Sequence, residues 1–248
     1  ITPGIVADWS KSRMARVSPR DAMKQPVKNR RLSSKNIPES LSETVVGCAE
    51  CHTINADRHK DTFSHQGFAV HTVVTPGDCS TCHPVERKQF KKNLMSQAYG
   101  NLMENALYDQ LIRAVNGPMS FSGDTLEHKP PHKATNADSC LSCHGTRLSV
   151  EKTAVRDTVL GEMEFPVIRG WPNRGVGRIN PDGTRGNCAA CHTRHRFAIE
   201  MARKPETCSE CHKGPDVPAY KVYTVSKHGN IYKSLSASTD WDFNEVPW

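Results

Sequence analysis

The sequence predicts a mainly α fold with extensive irregular loops, one or two domains in extent, closed around something other than its own side chains. Three observations carry this. Hydrophobic residues make up 36% of 248 positions, enough for a core and too many for a disordered or low-complexity chain. Aromatic residues reach only 6% and mean hydropathy is −0.60, while 16 Gly and 16 Pro interrupt the chain repeatedly. The ten cysteines fall into five C-x-x-C pairs with none left over.

Each pair is followed at once by histidine: Cys48-Cys51-His52, Cys79-Cys82-His83, Cys140-Cys143-His144, Cys188-Cys191-His192 and Cys208-Cys211-His212. Two thiols three positions apart lie on one side of a helical turn, where they can add to the two vinyl groups of one porphyrin. The next residue then aims its imidazole at the iron. Structural zinc, a disulfide framework and thioredoxin-type pairs are the competing readings. Chance would supply roughly 0.02 such pentapeptides in a chain of this composition. Zinc sites, moreover, do not require a histidine directly after every second cysteine. The motifs are therefore read as attachment sites for five covalently bound haem c groups, with His52, His83, His144, His192 and His212 as proximal iron ligands.

Haem resolves the compositional puzzle, because large apolar macrocycles supply the interior that a proline-rich, aromatic-poor chain lacks. It also changes the charge argument. Lys+Arg 33 against Asp+Glu 26 gives +7, but ten propionates would turn this to about −3, which removes the support for nucleic acid as a partner. The longest apolar stretches, such as Val45-Val46 and Ala69-Val70, are far short of the ~20 residues that span a bilayer. Covalent haem attachment to paired thiols takes place outside the cytoplasm, so a periplasmic or extracellular location is expected.

Along the chain, residues 1–47 are motif-free and basic and are expected to form a peripheral arm or short helices, with residues 48–248 as one pentahaem domain. The strongest helical pattern lies between the second and third motifs. Phe90, Leu94, Ala98, Leu102, Leu107, Leu111 and Val115 recur at spacings of four or five from Glu86 onward, ending at Asn116-Gly117-Pro118. Met95, Tyr99 and Met103 within it are read as packing. The Pro- and Gly-rich text from Phe165 to Asn187 predicts an ordered loop over a haem face. No run of alternating strands is evident.

Seven histidines remain for the distal sides of the irons. His195 lies too near His192 to reach the opposite face of the same iron, so it is expected to serve a neighbouring haem. His71 and His228 are the other principal distal candidates, followed by His65 and His132. His59 and His128 are expected to be solvated. Met14 is an outside candidate through its thioether.

The C-terminal third carries a resemblance. Asn187-Cys-Ala-Ala-Cys-His192-Thr-Arg-His195-Arg-Phe197, Ala202-Arg-Lys-Pro205-Glu-Thr-Cys208, Gly214-Pro-Asp216 and Ser226-Lys-His228-Gly229 together resemble the octahaem hydroxylamine oxidoreductase family. The resemblance covers roughly residues 40–248 and is best over 187–232. It implies that the chain corresponds to the part carrying the second to sixth haems. Trp9 to Met14 is similar to the segment after the first motif, and Trp241 to Trp248 to the approach to the next. By resemblance His195 and His228 are distal ligands, and the haem on His144 is the catalytic one with an open iron. Asp216 is the acidic half of a proton-moving Asp-His pair. The sequence departs from the family at Val217, where the histidine of that pair is expected, and at Met14 and Gln97, where distal histidines are expected.

Two functions follow. The first is electron transfer along closely packed haems, with redox proteins, further haem-bearing chains or a homotrimer, as the family implies, for partners. The second is redox chemistry of nitrogen compounds at His144, with Asp216 assisting. Nucleotide loops, Ser-His-Asp arrangements and H-E-x-x-H are absent from the sequence.

Overall fold

The computed structural model describes residues 3–27, 29–236 and 242–243. The segment Trp241 to Trp248, assigned above to the approach to a further motif, lies outside the described residues except for Asp242 and Phe243. Two compact units are present. One comprises Ile1–Leu32, Pro38–Gly47 and Ala189–Trp248; the other comprises Ser33–Ile37 and Cys48–Cys188.

In the first unit the basic N-terminal residues form short helices, Pro3–Ser10, Pro19–Lys24 and Glu39–Ser42. The second of these starts where Ser18 accepts the Asp21 backbone N–H, the usual means of satisfying an orphan amide in the first turn. Trp9 and Met14 are tied to residue 46, through Trp9 Nε1 to the Val46 carbonyl at 2.9 Å and Val46 N to the Met14 carbonyl at 3.0 Å. The later part of this unit contributes helices Ile199–Arg203, Pro205–Ser209, Ala219–Val225 and Lys227–Ser236.

The second unit departs from the sequence expectation in two places. The pattern from Glu86 to Asn116 is not one helix. It is divided into helices Pro84–Lys92, Ala98–Met103 and Tyr108–Asn116, with a 3-10 turn over Leu94–Gln97. Asparagine side chains cause the breaks: Asn93 accepts from Met95 N at 2.8 Å and Asn105 from Leu107 N at 2.9 Å, each replacing the helical bond with a local turn. The expected stop at Asn116 is present, with Gly117 extended.

Strands also occur where none were expected. Three antiparallel hairpins are present, β1 (Thr62–His65) with β2 (Phe68–His71), β3 (Met119–Ser122) with β4 (Thr125–His128), and β5 (Ser149–Thr158) with β6 (Gly161–Arg169). The β1–β2 turn places Gln66 at φ 50° and Gly67 at φ 83°, the left-handed pair that a two-residue hairpin loop requires. β3, β4 and β5 are largely exposed and carry no apolar alternation in sequence, whereas β1 and β6 are half-buried over much of their length.

Apolar burial is sparse. Among the described residues the buried apolar side chains are Ala22 and Phe243 in the first unit and Val73, Tyr108, Leu141, Leu148 and Ile179 in the second. Much of what is most deeply buried is polar, including Asp61, His71, Thr75, Ser96 and Arg178.

Candidate haem-attachment sites

The five motifs lie on helical turns. Cys48–His52 and Cys140–His144 are single-turn α-helices, and Cys188–Ala190 begins the fourth motif as a 3-10 turn. In the second and fifth motifs the histidine amide bonds back to the carbonyl of the first cysteine, His83 to Cys79 at 2.8 Å and His212 to Cys208 at 2.9 Å. The capping box at Thr75 and Asp78 starts the turn that delivers Cys79. All ten thiols are free of disulfides.

Two of the histidines display the geometry an iron ligand needs. His52 Nδ1 lies 2.8 Å from the His71 carbonyl, and His144 Nδ1 lies 3.0 Å from the Ala98 carbonyl. A carbonyl only accepts, so each Nδ1 carries the proton and each Nε2 keeps its lone pair for a metal. Burial holds the His83 imidazole below its ordinary pKa, against the opposing pull of Glu86, which favours the neutral ligating form. Free paired thiols and correctly oriented imidazoles fit covalent haem.

The thiols are not electrostatically alike. Burial, reinforced by Glu50 and Asp78, pushes Cys51 up to about 11. Cys79 is raised well above the usual thiol range by its hydrogen bond to Cys188 and by burial. Cys188 is lowered, the same bond from Cys79 outweighing burial, with Arg178 and Arg87 adding to the effect.

The third motif is held by the Pro- and Gly-rich segment; residues 165–169 of it belong to β6 rather than to the expected loop, and 170–187 is irregular, as expected. Asn173 Nδ2 donates to the Leu141 carbonyl at 2.9 Å, and its Oδ1 accepts from Thr146 N and Gly175 N. Val176 N donates to the Cys143 carbonyl at 2.9 Å and Ile179 N to the Thr146 carbonyl at 2.9 Å. Gly145, directly after His144, has φ 92°, and a Cβ there would lie 2.3 Å from Arg178 N. Only glycine admits this close backbone approach.

The distal candidates fall into different environments. His65 and His195 are half-buried, and His128, His132 and His228 are exposed. His132 Nδ1 accepts from Ala134 N at 3.2 Å, leaving Nε2 without a bond among the described residues. His71 is fully buried, with Nε2 at 3.0 Å from the Ile54 carbonyl and Nδ1 without a partner. Gln97 is engaged by the Lys91 carbonyl and Arg185. Met14 is half-buried, and Asp216 and Val217 are exposed. His144 belongs to the second unit and Asp216 to the first.

One expectation is corrected outright. His59 is not solvated: it is 5% exposed, with Nδ1 3.2 Å from Asp61 and Nε2 3.2 Å from Asp78. Burial alone would lower its pKa, but the two carboxylates override this and raise it to about 9. Both carboxyls are in turn held below their ordinary range by His59 and backbone amides, against the opposing effect of burial. The sequence gives no periodic or motif signal for this cluster, because its members come from the turn before β1 and the cap before Cys79.

Comparisons with known proteins agree with the motif reading. A family model described as a seven-times multi-haem cytochrome CxxCH matches residues 177–247, and one described as cytochrome c554 and c-prime matches residues 78–164. A probable nitrite reductase-hydroxylamine oxidoreductase fusion protein of Kuenenia stuttgartiensis is 31% identical over 136 residues, covering 48% of this chain and 15% of that protein. A solved structure described as a hypothetical multiheme protein superposes with a TM-score of 0.84 at 45% identity, covering 94% of this chain and 44% of that one. The Kuenenia stuttgartiensis reducing HAO-like protein complex Kustc0457/Kustc0458 shares the fold, with a TM-score of 0.55 at 22% identity over 98% of this chain and 35% of that one. The chain thus spans less than half the length of each.

Proposed function

For this chain, a multihaem cytochrome c resembling the octahaem hydroxylamine oxidoreductases, we propose electron transfer along five covalently attached haems, outside the cytoplasm and within an assembly of haem-bearing proteins. The observation that carries the proposal is the set of five C-x-x-C-H motifs on helical turns, with the His52 and His144 rings held through Nδ1 so that Nε2 is left for iron. Haem iron supplies one-electron redox chemistry when bound. The chain's own residues bind and orient. The cysteine pairs anchor, the motif histidines present Nε2, and the carbonyls of His71 and Ala98 fix two of those rings. His195, His228, His65 and His132 are the proposed distal ligands, with Met14 as the outside candidate; His71, expected from the sequence to be one, is instead buried with Nε2 donating to the Ile54 carbonyl. Redox proteins or further copies of the chain, in the trimer the family implies, are the proposed partners. Among the described residues no helix is long and apolar enough to cross a membrane.

The test is intact mass with stopped-flow reduction. Five haem increments on the 27.6 kDa polypeptide, with substoichiometric electrons spreading over all haems within one mixing phase, are expected. Retained zinc, fewer increments or haems that reduce independently would defeat the proposal.

A second reading, nitrogen-compound redox chemistry at His144, is favoured by the name of the Kuenenia stuttgartiensis relative. Asp216 can hold and release a proton. Val217 cannot, and general acid-base assistance is typically worth ~10²–10⁴ in rate. Reduction of nitrite or hydroxylamine therefore suits this chain better than hydroxylamine oxidation.

A further inference from the structure

We propose that Asp61 is a positioning residue for His52, acting through the single peptide unit that joins His71 to Thr72 and held in place by His59. The inference rests on the reading that His52 ligates a haem iron. The His71 carbonyl accepts the His52 Nδ1 proton at 2.8 Å, and the amide at the other end of the same peptide, Thr72 N–H, donates to Asp61 Oδ2 at 3.1 Å. Val73 N donates to that oxygen at 2.8 Å. A carboxylate on the N–H end of a peptide polarises its carbonyl and makes it a stronger acceptor. The His52 imidazole is thereby drawn toward imidazolate character, a richer donor to iron.

The carboxylate cannot drift. Asp61 is 0% exposed, and its other oxygen faces His59 Nδ1 at 3.2 Å. The far side of His59 is fixed by Asp78 at 3.2 Å, which is itself held by Asn55 Nδ2 at 3.1 Å and Thr75 N at 2.8 Å. The His59 ring stacks on that of His71 with centroids 3.6 Å apart and planes 10° apart. His71 Nε2 meets the Ile54 carbonyl at 3.0 Å. The peptide is thus fixed from its amide, its side chain and the neighbouring ring. A site for a cation at His59, Asp61 and His71 is a poorer explanation, since two parallel stacked rings cannot both direct an in-plane lone pair at one ion.

A more electron-rich ligand stabilises the oxidised iron, so removing the charge of Asp61 should raise one potential. The experiment is Asp61→Asn in the holoprotein, which keeps an acceptor for Thr72 N and Val73 N but not the charge. Peptide mapping, potentiometric titration and EPR are read together. Expected are haem retained on Cys48 and Cys51, one midpoint potential moved upward with altered g-values, and the remaining potentials in place. Asp57→Asn, an exposed carboxylate nearby, should move none of them. Loss of thermal stability with every potential unchanged would overturn the inference, because a purely structural role predicts that result. Should Asp61→Asn not fold, the unmodified reduced protein still decides: ¹⁵N-histidine spectra should contain a downfield, slowly exchanging Nδ1 proton on His52, and its absence defeats the relay. Mapping that finds no haem on Cys48 and Cys51 defeats instead the attachment reading on which the inference rests.

Discussion

Replacing Gly145 by alanine tests whether the loop from Trp171 to Asn187 positions the third motif. Gly145 has φ 92°, a conformation that costs an L-residue ~1–2 kcal/mol. Its added Cβ would also lie 2.3 Å from Arg178 N and 2.7 Å from Arg178 Cα, so backbone must move. The bonds next in line are Val176 N to Cys143 O and Ile179 N to Thr146 O, each worth ~1 kcal/mol. Gly145→Ala should therefore destabilise the holoprotein by about 3–4 kcal/mol. Gly123→Ala is the control. Gly123 also has a positive φ, 61°, but nothing lies within 4 Å of its would-be Cβ, so only the conformational cost of about 1 kcal/mol applies. Thermal unfolding followed by far-UV circular dichroism measures both, and at ~2–4 °C per kcal/mol the variants should separate by several degrees. Equal melting points would mean that the loop does not press on the residue after His144, and the packing argument would fail.

Other outcomes are equally specific. His228→Ala should convert one low-spin haem to high spin while the covalent haem count stays fixed, because the thioethers and proximal ligand do not depend on it; an unchanged spin population in EPR removes His228 from the ligand set. Stability should be highest between the ordinary carboxylate range and about pH 6.5. It falls in acid as the depressed carboxyls of Asp61 and Asp78 protonate, and falls in alkali as His59 loses its proton through about 9; a melting point flat from pH 6 to 10 would contradict the buried cluster. Val217→His should accelerate hydroxylamine-dependent reduction of the oxidised protein relative to nitrite-dependent reoxidation of the reduced one. Fast hydroxylamine oxidation by the unmodified chain, with no gain from the histidine, would overturn the assignment of reductive chemistry.

What could be read in the sequence was whatever one turn of chain encodes by itself. Five C-x-x-C-H pentapeptides announce their chemistry at a spacing of three, and Asn116-Gly117 ends a helix by local backbone preference. The stretch around Asn93 and Asn105 misled because apolar spacing is indifferent to side chains that cap in mid-pattern. The β5–β6 hairpin was illegible for a different reason. β5 carries charge on both faces and shows no period of two, while the alternation Glu162-Met163-Glu164-Phe165 in β6 runs straight into the Pro- and Gly-rich text that reads as loop. His59 was illegible for a third: its partners, two and nineteen positions away, are ordinary aspartates until the fold brings them to both sides of one ring.

The same facts explain why the buried residues of this chain are so often polar. A segment that must leave one side of each helical turn open to a large planar group cannot also close that side with leucines. Leu94, Leu107, Val115 and Phe121 remain well exposed, each above 60%. Specificity in the protein part then falls to directional contacts, which work at short range and without apolar area. Asp61, Asp78 and Asn173 each take several bonds to backbone or side chain: Asp78 adjoins Cys79, Asp61 bonds the peptide whose carbonyl orients His52, and Asn173 bonds the Leu141 carbonyl within the third motif. Such a network fixes a histidine ring to within a hydrogen bond's tolerance, which general hydrophobic packing does not, and an iron ligand requires that orientation more than it requires a dry surround.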